Sequence, residues 1–132
     1  MDERGRTVEG ADLLLVGTAE WIERLGSAIA SRDGRARIVR TRERALEVNR
    51  NASLDCVLAG TDVADGTGVD LVESIRAQTA SLPVLLATAS GSEATASDAI
   101  SAGVTDYLPI ADPTAPAVEG LLERIGGAIR RG

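Results

Sequence analysis

The sequence predicts an α/β fold: a doubly wound, five-stranded parallel sheet of strand order 2-1-3-4-5, with helices on both faces. Three observations predict it. Short strand-like runs alternate along the chain with stretches whose apolar residues recur at helical spacing, five of each. The runs at 13–16, 56–59 and 84–87 are unbroken in Leu, Val, Ala and Cys, as strands buried on both faces require, so strands 1, 3 and 4 are innermost. The stretch 54–76 reads strand, then a loop rich in Asp, Thr and Gly, then helix. That is half of a βαβ unit, with its loop at the carboxyl end of a central strand, where open α/β sheets place their chemistry.

Residues 1–10 are polar and read as a flexible arm ahead of a folded unit at 11–132. Residues 11–16 form the first strand, which stops at Gly17. Thr18 is the expected N-cap of a helix whose Trp21, Ile22, Leu25, Ala28 and Ile29 share a face. Residues 31–34 turn into a short second strand at 36–40, whose charged flanks suit a sheet edge. Thr41 caps a second helix to about residue 49, and 51–53 lead into the central strand. Beyond Gly68, Val69, Leu71, Val72 and Ile75 mark the third helix.

Residues 81–83 turn into the fourth strand at 84–87. Ser92 and Glu93 start a small-residue helix through Ala102, and Gly103 suits the left-handed position that follows a helix. Residues 104–108 make the fifth strand, closed by Pro109. Pro113 and Pro116 are tolerated in the first turn of the last helix. Its buried stripe is Val118, Leu121, Leu122, Ile125 and Ile129, with Arg130 and Arg131 placed to complement the helix dipole.

Composition excludes much. The chain has 132 residues, enough for one domain and one core, and is 44% hydrophobic and 26% charged, a globular balance. No apolar run approaches membrane-spanning length, and the first residues lack the pattern of a signal peptide, so a cytoplasmic protein is expected. The chain has no His, and all 14 basic residues are Arg, which removes histidine triads, phosphohistidine, Schiff bases and the P-loop lysine. Cys56 stands alone and reads as an inert strand residue, without disulfide or zinc cluster. The net charge of −6 argues against nucleic acid. Residues 32–50 carry seven Arg against three acids. That segment is either a solvated strand edge and helix face or a docking patch for an acidic partner.

Three landmarks now resemble one family. They are the strand–loop–helix LDCVLAGTDVADGTGVDLVESIR, the strand PVLLATA ending in threonine, and AISAGVTDYL with its alanine-glycine-aspartate-tyrosine order. Together they resemble a response-regulator receiver domain, CheY-like and flavodoxin-like in fold, from about Asp12 to Arg130. The wording SGSEATASDAISAGVTDYL is most similar to receivers of halophilic archaea, often fused to kinase or sensor modules.

The resemblance implies an aspartate nucleophile at the tip of the third strand, two acids after the first strand holding Mg²⁺, and a lysine after the fifth. Here those positions hold Gly60, then Gly17 and Thr18, then Ile110 followed by Ala111. The loop's usual proline is Ala64. Thr88 and Tyr107 match the family's switch threonine and aromatic. The resemblance therefore implies a degenerate pseudo-receiver with no catalytic residue, metal or cofactor, working in two-component (phosphorelay) signalling by protein contacts. Its expected surface is helix 4, strand 5 and helix 5, from about residue 97 to 130, used for homodimerisation or docking.

Other readings remain. A small-molecule sensor would use the vacated pocket, lined by Thr18, Thr61 and Thr88. A conventional regulator would be phosphorylated at a non-standard residue such as Asp62 or Asp65, although solvated loop carboxylates account for both. Residues 63–67 approach the DxDGT of haloacid-dehalogenase phosphatases but put Val63 at the nucleophile position, and a calcium loop fails at Thr61, Val63 and Val72. The segment 17–20 lacks the glycine pattern of a phosphate loop. No nucleophile–base pair can be assembled, so an enzyme is not expected.

Overall fold

The structure, a computed structural model, describes residues 8–88, 93–110 and 118–131. Its elements alternate as β1 (Asp12–Val16), α1 (Trp21–Ser31), β2 (Arg35–Val39), α2 (Arg42–Asn51), β3 (Cys56–Gly60), α3 (Gly68–Gln78), β4 (Val84–Thr88), α4 (Glu93–Ala102), β5 (Asp106–Pro109) and α5 (Val118–Arg131). The five strands pair in parallel in the order β2-β1-β3-β4-β5, the order the sequence predicts. Between β3 and α3 lies an element the sequence reading missed. Asp62–Val63 pairs antiparallel with Gly66–Thr67, a two-residue ladder inside the acidic loop.

Strand alternation divides the core into two apolar layers. Leu13, Leu15, Cys56, Leu58, Leu85 and Ala87 pack with α1 and α5 on one face. Leu14, Val16, Val57, Ala59, Val84 and Leu86 pack with side chains of α2, α3 and α4 on the other. Trp21 is buried in the first layer, a core residue as its helical spacing predicts. Helix starts follow side-chain chemistry where a cap exists. The Arg44 amide donates to Thr41 Oγ1 at 3.1 Å, and Thr67 and Asp70 form a reciprocal capping box at the start of α3. Gly103 adopts φ +98 after α4, and its amide donates to Ile100 O.

Three boundaries differ from expectation. Thr18 does not cap α1: the helix begins at Trp21, its N-cap is Glu20 and no side chain caps it, while the Thr18 amide donates to Asp62 O at 3.3 Å. Val8 is only 1% exposed, and the Gly10 amide donates to Asp33 O, so residues 8–10 pack with the fold. The fifth strand starts at Asp106, two residues after the expected Val104, and includes Pro109 as its last residue. Ile110, one residue on, donates to Thr88 O at 2.8 Å, so the missing proline N–H faces the open edge. The Ser92 helix start, Ala111 and the proline-led first turn of the last helix lie outside the described residues.

Candidate functional site

The tips of β1 and β3 lie side by side, and neither carries a charge. Gly60 ends β3, and Gly17 follows β1 with its amide bound to Val39 O. What occupies the space between them is Ile22, from the first turn of α1. A Cβ built on Gly17 would lie 2.6 Å from Ile22 Cδ1. A Cβ on Gly60 would meet the same methyl at 3.5 Å and Trp21 Cζ2 at 3.9 Å. The strand tips are thus sealed by hydrocarbon. Ile110, after β5, is 6% exposed and belongs to the same apolar layer as Ile22. Among the described residues no group of three or more Asp, Glu, His or Cys side chains is placed to hold a metal ion.

This architecture can be set against known proteins. The description of the response regulator receiver domain matches residues 18–110. The chain belongs to that family. No curated protein matches it by sequence. Among solved structures, the receiver domain of an HD domain-containing protein from Pseudomonas fluorescens Pf-5 superposes with a TM-score of 0.82 at 22% identity, covering 93% of this chain and 89% of that one. A two-component response regulator from Clostridium difficile gives 0.81 at 19%, with coverage of 92% and 97%. The beryllofluoride-activated NtrC4 receiver domain, a dimer, gives 0.80 at 22%, with coverage of 91% and 97%. At such identities the likeness is one of fold.

In this receiver the acidic loop has a structural task. The Asp65 carboxylate accepts from the Arg42 amide at 2.5 Å and the Glu43 amide at 3.1 Å, capping α2 from outside the helix. The Ala64 amide donates to Arg40 O, which pins the loop there. Those amides, Arg42's foremost, hold the Asp65 carboxyl below its usual range. A carboxylate with a depressed pKa stabilises the fold above its unfolded value of about 3.9 and loses that contribution as pH falls through the folded value. Acidification below about pH 4 should therefore lower the denaturation midpoint more in the wild type than in Asp65→Asn, as thermal scans against pH would record. Equal slopes would remove Asp65 from the account. Asp62 is exposed, and its backbone oxygen accepts from Thr18.

The three hydroxyls expected to line one pocket lie on the loops and strand end around the β1, β3 and β4 tips. Thr18 lines a cleft between the β1 and β2 tips, Thr61 lines a groove between α3 and α4, and Thr88 is 3% exposed at the end of β4. Tyr107 is half-buried against the α2–α3–α4 layer. Cys56 is buried, and desolvation first, then the Asp55 charge, push its thiol up to about 12, so it stays protonated and inert. The arginine-rich segment is partly neutralised from within: Arg35 forks onto Asp12, Arg32 pairs with Glu119, and Arg44 pairs with Glu47. No helix among the described residues is long and apolar enough to cross a membrane.

Proposed function

We propose that this receiver has given up phosphoacceptor chemistry and signals through protein contacts. The observation that carries the reading is the Ile22 methyl between Gly17 and Gly60, at positions where the family resemblance places acids. Phosphoryl transfer needs a nucleophile, a metal to neutralise the phosphoryl oxygens and a cation on the acyl phosphate. Gly60, then Gly17 and Thr18, then the buried Ile110 supply none of them. Losing all of these together is physically coherent, because carboxylates left without metal would repel one another. Incubation with acetyl phosphate and Mg²⁺ should leave the intact mass unchanged. A stoichiometric phosphate adduct that Asp62→Asn abolishes would instead support phosphorylation at that exposed aspartate.

Restoring the nucleophile alone should not restore the reaction. A Cβ at Gly60 finds nothing nearer than 3.5 Å, so the backbone admits a side chain there. Gly60→Asp puts a carboxylate against Ile22 and Trp21, and circular dichroism checks that it still folds. It remains without metal ligands and counter-cation, and its mass after acetyl phosphate should equal that of an untreated sample. Efficient labelling would show that the missing groups are dispensable.

The contact surface of this reading is the α4–β5–α5 face. Ile100 on α4 is 69% exposed, more than any other large apolar side chain among the described residues. On the same face Arg124 of α5 forks onto Asp106 of β5 at 2.7 Å for both nitrogens, which ties β5 to α5. Ile100→Arg should leave thermal stability within about 0.5 kcal/mol of wild type, as exposed positions do. It should also abolish self-association in sedimentation velocity, or capture of a fused or separate partner where the wild type is monomeric. Unchanged association on both counts would move the interface elsewhere.

A further inference from the structure

Beside the sealed strand tips, on the β2 side, opens a cleft of about 260 Å³. Gly17 and the fully buried Ile22 lie behind it, and Ile38 of β2 is the apolar side chain it leaves open. Thr18, Glu20, Glu23 and Arg40 supply its polar atoms. Two features of this lining bear on a ligand. Ile38 is 39% exposed, one of two large apolar side chains left open to solvent among the described residues. Arg40, Glu20 and Glu23 are exposed and form no ion pair with any described residue, so their charges are available to a ligand.

We propose that this cleft binds a small aliphatic amino acid as its zwitterion. The charges choose the class. A simple anion drawn to Arg40 would meet Glu20 and Glu23, and a simple cation drawn to the glutamates would meet Arg40. A molecule carrying both charges satisfies both: its carboxylate takes the guanidinium fork and its ammonium faces the glutamates. Ile38 then covers an aliphatic side chain, which removes its exposed hydrocarbon from water. The volume lies just under the range of drug-sized sites, which excludes nucleotides and leaves room for a branched amino acid. Such a ligand bridges β2, the β1 tip and the first turn of α1, and so supplies an input to a receiver without phosphorylation. The proposal is independent of the phosphorylation reading: an adduct at Asp62 would overturn that reading and leave this one standing.

The probe is leucine, titrated into the full chain by calorimetry and by fluorescence of Trp21, the sole tryptophan, which adjoins Ile22 in sequence and packs beside Gly60. Saturable binding is expected. Isoamylamine, which lacks the carboxylate, and 4-methylpentanoate, which lacks the ammonium, should each bind about tenfold or more weaker, as loss of a charged hydrogen-bonding group implies. Arg40→Ala should weaken leucine by a similar factor, with the circular dichroism of the wild type, since Arg40 is exposed. The double variant Glu20→Gln, Glu23→Gln should narrow the gap between leucine and 4-methylpentanoate. No saturation by leucine in natively folded protein, binding unaffected by Arg40→Ala, or 4-methylpentanoate equalling leucine on the wild type would each overturn the assignment.

Discussion

Gly68→Ala is expected to cost more stability than a methyl added at any other described glycine. Gly68 is the first residue of α3, and its amide donates to Thr61 O at 2.7 Å. That bond draws the start of the helix hard against the end of β3. A Cβ there would fall inside the contact radius of Gly60 O and lie 2.5 Å from Leu86 Cδ1. The oxygen belongs to the backbone of a central strand and Leu86 is fully buried, so neither can yield cheaply. Overpacking of this kind costs about 3 kcal/mol or more, a large share of the stability of a small domain. The reason is packing and not backbone conformation, since Gly68 has no positive φ. Urea denaturation should show a midpoint lowered in proportion, with little change in slope. A loss below about 1 kcal/mol would mean that α3 can slide away from β3 without penalty.

The same close approach explains what the sequence revealed and what it concealed. The sheet was legible because β1, β3 and β4 are continuous apolar runs, and a run buried on both faces admits few placements. Thr41 was legible as a cap because its hydroxyl serves its own helix. Thr18 looked equally suitable, but its amide is bound to a residue 44 positions later, a partner no local pattern indicates. Asp65 caps a helix that begins 23 residues earlier, so its role in α2 was invisible beside its loop neighbours. At the candidate site, the sequence shows that Gly17 and Gly60 lack side chains. It does not show what fills the space. Ile22 read only as one residue of a helical stripe, and its position over both strand tips follows from where α1 packs. The opposite glycines are the signal that was available: side-chain volume missing from two adjacent strand tips has to be filled by something nearby.

Arg76→Ala should be the most damaging loss of a charged side chain. Arg76 lies near the end of α3, and its guanidinium binds the segments that lead into β4 and β5. Nε donates to Gly103 O at 2.7 Å, and Nη1 to Leu82 O, Ala80 O and Thr79 O at 2.5, 3.2 and 3.4 Å. Nη2 donates to Thr105 Oγ1 at 3.0 Å, the same oxygen that accepts from the Val84 amide. Partial burial works against the charge and lowers the pKa, and the ring of oxygens offsets that penalty. Removing the side chain leaves the partly buried carbonyls of Leu82 and Thr79 without this donor, which costs about 2 kcal/mol or more. It also strips the aliphatic stem that packs on Gly103, where a Cβ would meet Arg76 Cγ at 3.2 Å. Arg76→Lys should recover less than half of the loss. An ammonium has three donors at one point and cannot span Gly103, Leu82 and Thr105 at once. The loss should be local as well as global, with amides of β5 exchanging faster than those of β1 in hydrogen-exchange measurements. The cleft beside Gly17 lies at the opposite end of the strands, so the Trp21 emission of the folded variant should match the wild type. If Arg76→Ala denatures within about 0.5 kcal/mol of wild type, the fork is ornamental and the β4 and β5 entries are held by Thr105 alone.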